Sequence, residues 1–149
     1  MPAPQRQQIE KINSQMERIQ AVKDAIMPTA PFSALVVDDV AAVRSYISQI
    51  LQQMGITSVY EAADGRSALQ LFDDHQPQLV FLDIHLPDIN GHQLLKEIKL
   101  QQQHTVVFMV SAFSSVENLK QAVENGARAF VIKPFTATRI NSLVRPFLY

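Results

Sequence analysis

The chain has 149 residues, a formal net charge of −1 and a 47% hydrophobic composition, which suits one domain with a real core plus an appendage. So even a charge balance provides no attraction for nucleic acid or anionic membrane, and the absence of cysteine excludes disulfides, thiolate metal sites and a cysteine nucleophile. No apolar run approaches the roughly 20 residues that span a bilayer, and "MPAPQRQQIEK" lacks the apolar stretch of a signal peptide, so a cytoplasmic protein is expected.

The first segment, "QRQQIEKINSQMERIQAVKDAI", is rich in Gln, Lys and Glu and contains no Gly or Pro. Its apolar residues Ile9, Ile12, Met16, Ile19 and Ile26 alternate at spacings of three and four, with Lys23 interrupting the series. That pattern predicts a helix with a narrow apolar stripe close to a coiled-coil seam. Pro28 and Pro31 in "MPTAPF" end it and make a short stiff linker. The expected division is therefore 1–30, an amphipathic helix and linker, and 31–149, the main domain. So few apolar layers do not hold an isolated helix pair together. The helix either forms a homodimer, docks a partner, or folds back on its own chain.

From Phe32 the pattern alternates. Short β-rich runs, "SALVV", "SVYEA", "QLVFL", "TVVFMV" and "AFVI", are separated by amphipathic stretches over Val40–Met54, Arg66–His75, His92–Leu100, Val116–Asn125 and Ala137–Phe147. In the first stretch Val43, Ile47, Ile50, Leu51 and Met54 share one helical face. Gly55 and Gly126 are placed to end helices in the left-handed conformation. Strand then helix, five times over, predicts a doubly wound parallel sheet with helices on both faces. Such sheets carry their sites beyond the C-terminal ends of the strands, where this chain has Asp38 and Asp39, Glu61 to Ala63, Asp83, Ser111 and Lys133.

Each of these residues has an ordinary explanation by itself. Asp39 would cap the helix starting near Val40, Asp83 would open a loop, Ser111 would cap the next helix, and Lys133 would be a surface lysine. Together they read differently. Three carboxylates in one small space raise each other's pKa unless a cation compensates. Oxygen ligands in a shallow acidic pocket suit Mg²⁺, which often works beside a phosphate. A lysine and a hydroxyl opposite would hold phosphate oxygens, and an aspartate can itself be the nucleophile in phosphoryl transfer. The histidines, His75, His85, His92 and His104, lie at no metal-ligand spacing, and there is no GxxxxGK[ST] loop for nucleotide hydrolysis.

"VVDD", "LVFLDIHLPDINGHQLL", "VSA" and "FVIKPF", in that order and at these separations, make the chain resemble a receiver domain of the two-component response regulators, chemotaxis-regulator-like, over about four-fifths of its length from Phe32. The resemblance implies a flavodoxin-like five-stranded (βα)5 domain, here preceded by an extra helix. It implies that Asp83 is the phosphoacceptor, and that Asp38, Asp39, Asp83 and the backbone carbonyl of His85 hold Mg²⁺. Ser111 would contact a phosphoryl oxygen and move toward it on activation. Lys133 would pair with the phosphoryl group, and with Asp83 beforehand, and the Lys133–Pro134 bond would be cis. Phe130 would occupy the aromatic switch position. His85 and Phe113 would tune the phosphoryl lifetime, bulky Phe113 by shielding the acyl phosphate from water.

The function implied is a phosphorylation-dependent switch, not a metabolic enzyme, served by a histidine kinase or phosphotransfer protein. It would act on a downstream protein through the face of the fourth helix, fifth strand and fifth helix, with neither nucleic acid nor membrane as direct partner. A phosphorylation-independent interaction or dimerisation module is the alternative, against which the intact residue set argues. A phosphohydrolase on a related sheet would carry a second acid where this chain has His85. No effector sequence follows Tyr149, which leaves a stand-alone receiver or a piece of a longer regulator.

Overall fold

A computed structural model describes the backbone of residues 3–26 and 32–148, and the side chains of 5–19 and 32–148. It contains two compact units, Met1–Ala30 and Pro31–Tyr149. In the first, a Gln-, Glu- and Lys-rich run without Gly or Pro from Gln5 onward gives helix α1, Ala3–Ile26, with Pro4 tolerated in its first turn. The stripe residues Ile9, Ile12, Met16 and Ile19 are all exposed. The side chains of Lys23 and Ile26 and the linker prolines Pro28 and Pro31 lie outside the described residues. Among the described residues, no helix is long and apolar enough to cross a membrane.

The second unit is the expected alternation. Strands β1 Ser33–Val37, β2 Ser58–Ala62, β3 Leu79–Leu82, β4 Val106–Ser111 and β5 Ala129–Ile132 alternate with helices α2 Ala41–Gln53, α3 Gly65–His75, α4 Gly91–Gln101, α5 Val116–Glu124 and α6 Ala137–Val144. The sheet is parallel throughout, in the order β2-β1-β3-β4-β5. Alternate side chains of each strand point to opposite faces, so two cores form. Leu35, Val37, Val80, Leu82, Val107 and Met109 pack with α3, α4 and α5 through Phe72, Leu94, Leu95, Ile98 and Ala122. Ala34, Val36, Leu79, Phe81, Phe108 and Val110 pack with α2 and α6 through Ile47, Leu51, Ile140 and Val144. The central strands β1 and β3 are buried along their whole length, whereas edge strand β2 is half exposed, which explains the unbroken apolar runs in the former.

Several boundaries differ from the sequence expectation for local reasons. Gln78 stays outside β3 because its side-chain oxygen accepts from both the amide and the hydroxyl of Ser33 (2.7 and 2.9 Å). α6 stops at Val144 and gives way to one 3-10 turn, Arg145–Phe147, since Pro146 has no N–H with which to continue the helix. Gly55 and Gly126 adopt φ of 98° and 92° at the ends of α2 and α5. α3 ends on Gln76 at φ 44°, a left-handed position with no glycine to announce it.

Candidate functional site

Register builds the site. Val37 is paired with Leu82, and Ser111 with Ile132, so Asp38 and Asp83 leave the sheet side by side, and Lys133 leaves it next to Ser111. Backbone bonds continue the ladder past the strand ends: Asp38 N–H to the Ala62 carbonyl (3.1 Å), Asp83 N–H to Val37 (3.0 Å) and Lys133 N–H to Ser111 (3.0 Å). Lys133 Nζ then reaches back across the sheet to Asp38 Oδ2 at 2.6 Å and Asp83 Oδ2 at 3.2 Å. The lysine is therefore shared, with Asp38 the nearer partner, where Asp83 was the partner expected. Burial draws the Lys133 pKa down, but the hydrogen bond to Asp38 and the charges of Asp83 and Asp38 outweigh it, leaving the ammonium above the ordinary lysine value.

Asp38 and Asp83 are buried and Asp39 is exposed, yet one carboxylate oxygen from each lies within 4.8 Å of the others. Three negative charges and one lysine leave a local excess of two, which a divalent cation would neutralise. The all-oxygen donor set fits Mg²⁺. The capping role considered for Asp39 is not seen. Helix α2 has Val40 as its N-cap residue with no side-chain cap, and the Val40 N–H donates to Asp38 Oδ1 at 2.9 Å. Likewise α5 is capped by Ser115, not by Ser111. The Ser111 hydroxyl oxygen, fully buried, accepts from the Phe113 N–H at 3.2 Å.

The remaining candidates surround this center. His85 and Phe113 are exposed, with ring centroids 3.9 Å apart at 55°, and the His85 backbone bridges to Asn90. Phe130 is half-buried against the α3–α5 core. The Lys133–Pro134 bond is cis. Beside Lys133 an open, largely apolar hollow of about 540 Å³ is lined by Ala42, Val43, Tyr46, Ala112, Pro134 and Phe135.

Four supporting residues stand outside the candidate set, and two of them, Arg44 and Asp88, carry no motif of their own. Arg44 donates to the Asp38 carbonyl at 2.7 Å while its Nε lies 3.4 Å from Glu61. Asp88 receives the Gly65 and Arg66 amides on its two carboxylate oxygens (2.8 and 2.9 Å), capping α3 from the loop that follows Asp83. Those two amides hold its carboxyl below the usual aspartate value. Gly91 donates to the Ile84 carbonyl at 2.6 Å, and a Cβ there would fall on the Asp83 carbonyl. Asn90 caps α4 through the His92 N–H at 2.8 Å. Only the "NG" of "DINGH" marks this turn in advance.

The family model "Response regulator receiver domain" matches residues 34–145. The chain is 38% identical over 106 residues to the chemotaxis protein CheY of Bacillus subtilis, covering 71% of this chain and 88% of that protein. It is 36% identical over 117 residues to the regulatory protein AtoC of Escherichia coli, covering 78% of this chain but 25% of that longer protein. Among solved structures, the CheX-CheY complex of Borrelia burgdorferi with BeF3 and Mg contains a chain superposing with a TM-score of 0.75 at 28% identity, over 80% of this chain and 90% of that one. The receiver domain of NtrX from Brucella abortus gives 0.71 at 38% identity, over 77% and 97%. The fold, the strand-end residues and these likenesses agree: the chain belongs to the response regulator receiver family.

Proposed function

We propose that Asp83 accepts a phosphoryl group from a histidine kinase or phosphotransfer protein in the cytoplasm, and that the added charge switches a protein-binding face. One observation carries this reading: Asp38, Asp39 and Asp83 converge at adjoining strand ends with Lys133 bonded across two of them. An Asp83 oxygen forms the new bond to phosphorus as the phosphorus–nitrogen bond of the donor phosphohistidine breaks and the imidazole departs. Lys133 then shifts its contacts to the phosphoryl oxygens, and the Ser111 hydroxyl donates to one of them. Asp38, Asp39, Asp83 and the His85 carbonyl would hold Mg²⁺, which supplies charge neutralisation for the phosphoryl group. The BeF3 and Mg in the Borrelia complex support that assignment.

The donor approaches over the apolar hollow beside Lys133, where Tyr46 and Phe135 lie with rings 5.6 Å apart. Recruitment of Ser111 and repacking of Phe130 change the face of α5, β5 and α6, on which Val116, Val123 and Ile132 are exposed. The change is a shift between two arrangements, driven by better contacts to the phosphate in one of them. The protein is a signalling phosphoacceptor, catalysing its own phosphorylation and dephosphorylation. Helix α1 joins two copies of the chain.

Incubation with Mg²⁺ and a small phosphodonor, read by intact mass, tests this. A single phosphate adduct that Asp83→Asn abolishes is expected. No adduct in the parent, and no spectral response to beryllofluoride, would establish the phosphorylation-independent module instead.

A further inference from the structure

His92 plays no part in the scheme above, yet it occupies a costly position. Its ring is buried, with Nδ1 lacking any hydrogen-bond partner among the described residues. A buried polar atom left unpaired is unfavourable, and an apolar side chain of similar size would avoid that cost. What the ring gains is a bond through its other nitrogen. His92 Nε2 lies 3.2 Å from Asn118 Oδ1, and the Asn118 amide nitrogen donates to the Phe113 carbonyl at 3.2 Å. Because the Asn118 amide spends its N–H on Phe113, its oxygen is the acceptor, and His92 carries its proton on Nε2.

This link joins two loops that reach the phosphorylation site separately. At one end, His92 begins α4 beside Gly91, whose N–H is bonded to Ile84, the residue after Asp83. At the other end, Phe113 gives its carbonyl to Asn118 and its N–H to the Ser111 hydroxyl oxygen. Ser111 therefore cannot carry its loop toward Asp83 without pulling on Asn118, and through it on the buried ring. We propose that His92 and Asn118 are positioning residues that hold the Ser111–Phe113 segment in its unphosphorylated arrangement, as a brake against activation. The inference rests on Asp83 being the phosphoacceptor.

The test is titration of beryllofluoride, with Mg²⁺ present, into the full chain, followed by backbone amide spectra of the parent, Asn118→Ala and His92→Phe. Loss of one net hydrogen bond from the arrangement that opposes activation lowers the half-saturating concentration by about three- to tenfold in each variant. Combining the two gives no further gain, since both remove the same link. A merely structural role would lower the unfolding midpoint and leave half-saturation where it was. Asn118 is half-exposed in the first turn of α5, and its backbone cap from Ser115 is retained in the alanine variant, so this variant folds even if His92→Phe does not. A parent that binds while Asn118→Ala binds equally or more weakly would overturn the brake alone. A parent that does not respond to beryllofluoride would overturn the phosphoacceptor reading and the brake with it.

Discussion

At the scale of single residues, Lys133 shows how the site is poised. It is bonded to two buried carboxylates, so under the proposed function a phosphoryl group on Asp83 would find its counter-charge already in place, with little reorganisation needed. The backbone under Asp83 is equally constrained. A Cβ on Gly91 would lie 2.6 Å from Ile84 Cα and 2.9 Å from the Asp83 carbonyl carbon, both backbone atoms that cannot swing aside. Gly91→Ala is therefore expected to destabilise the fold by about 1–3 kcal/mol, the usual cost of overpacking, and to slow phosphorylation of Asp83; urea unfolding and adduct formation measure the two effects. Phe113 would make the opposite kind of contribution under the proposed function, its exposed ring, packed against His85, shielding the acyl phosphate from water. Phe113→Ala is expected to shorten the phosphoryl lifetime several-fold with little change in stability. A dephosphorylation rate equal to the parent's would remove shielding as its role.

Elements show which parts of the architecture a sequence can announce. The central strands were legible because buried parallel strands need unbroken apolar runs, and the candidate site residues because they follow strands directly: Asp38 after Val37, Asp83 after Leu82, Lys133 after Ile132. Asp88 was not legible, because the helix it caps begins 23 residues earlier in the chain; Arg44 acts locally, but on the Asp38 backbone carbonyl, an acceptor that no side-chain pattern marks. The Asp88 cap has a pH signature with a definite sign. Its carboxyl is held below the ordinary value of 3.8 in the fold, so the unfolded chain binds the proton more readily. The stabilisation is complete above that value and disappears as pH falls through the lower folded value. The urea midpoint of Asp88→Asn should lie below the parent's at neutral pH, with the gap closing in acid; a gap that persists unchanged would assign the effect to packing. Helix α1 makes a different prediction. Gln8, Asn13 and Gln15 flank the Ile9, Ile12, Met16 and Ile19 stripe, so these flanking positions bring no charge against a second copy, and Lys23 is the one charged position of the series itself. Ile12→Lys combined with Ile19→Lys should convert a dimeric parent to monomer in sedimentation. A monomeric parent of unchanged mass in the double variant would end the dimer reading.

For the molecule as a whole, the acidic cluster would link folding to cation binding under the proposed function. The chain is nearly neutral, at −1, but the register of the sheet gathers three carboxylates and one lysine within a few ångströms. Without a cation this concentration of like charge opposes folding, because unfolding relieves it. With Mg²⁺ bound only to the folded form, stability rises with its concentration, by about 2.7 kcal/mol at one hundred times the dissociation constant. Asp39 separates the two effects. It is exposed, and Lys133 bonds Asp38 and Asp83 instead, so Asp39→Asn removes repulsion without stranding a partner. In chelator, Asp39→Asn should unfold at the same urea concentration as the parent or a higher one. In millimolar Mg²⁺ the parent should overtake it, because the variant has lost a ligand. The crossing of the two stability orders is the diagnostic: destabilisation of Asp39→Asn in both conditions would mean that Asp39 supports the fold, and a parent indifferent to Mg²⁺ would mean that these carboxylates do not hold the cation.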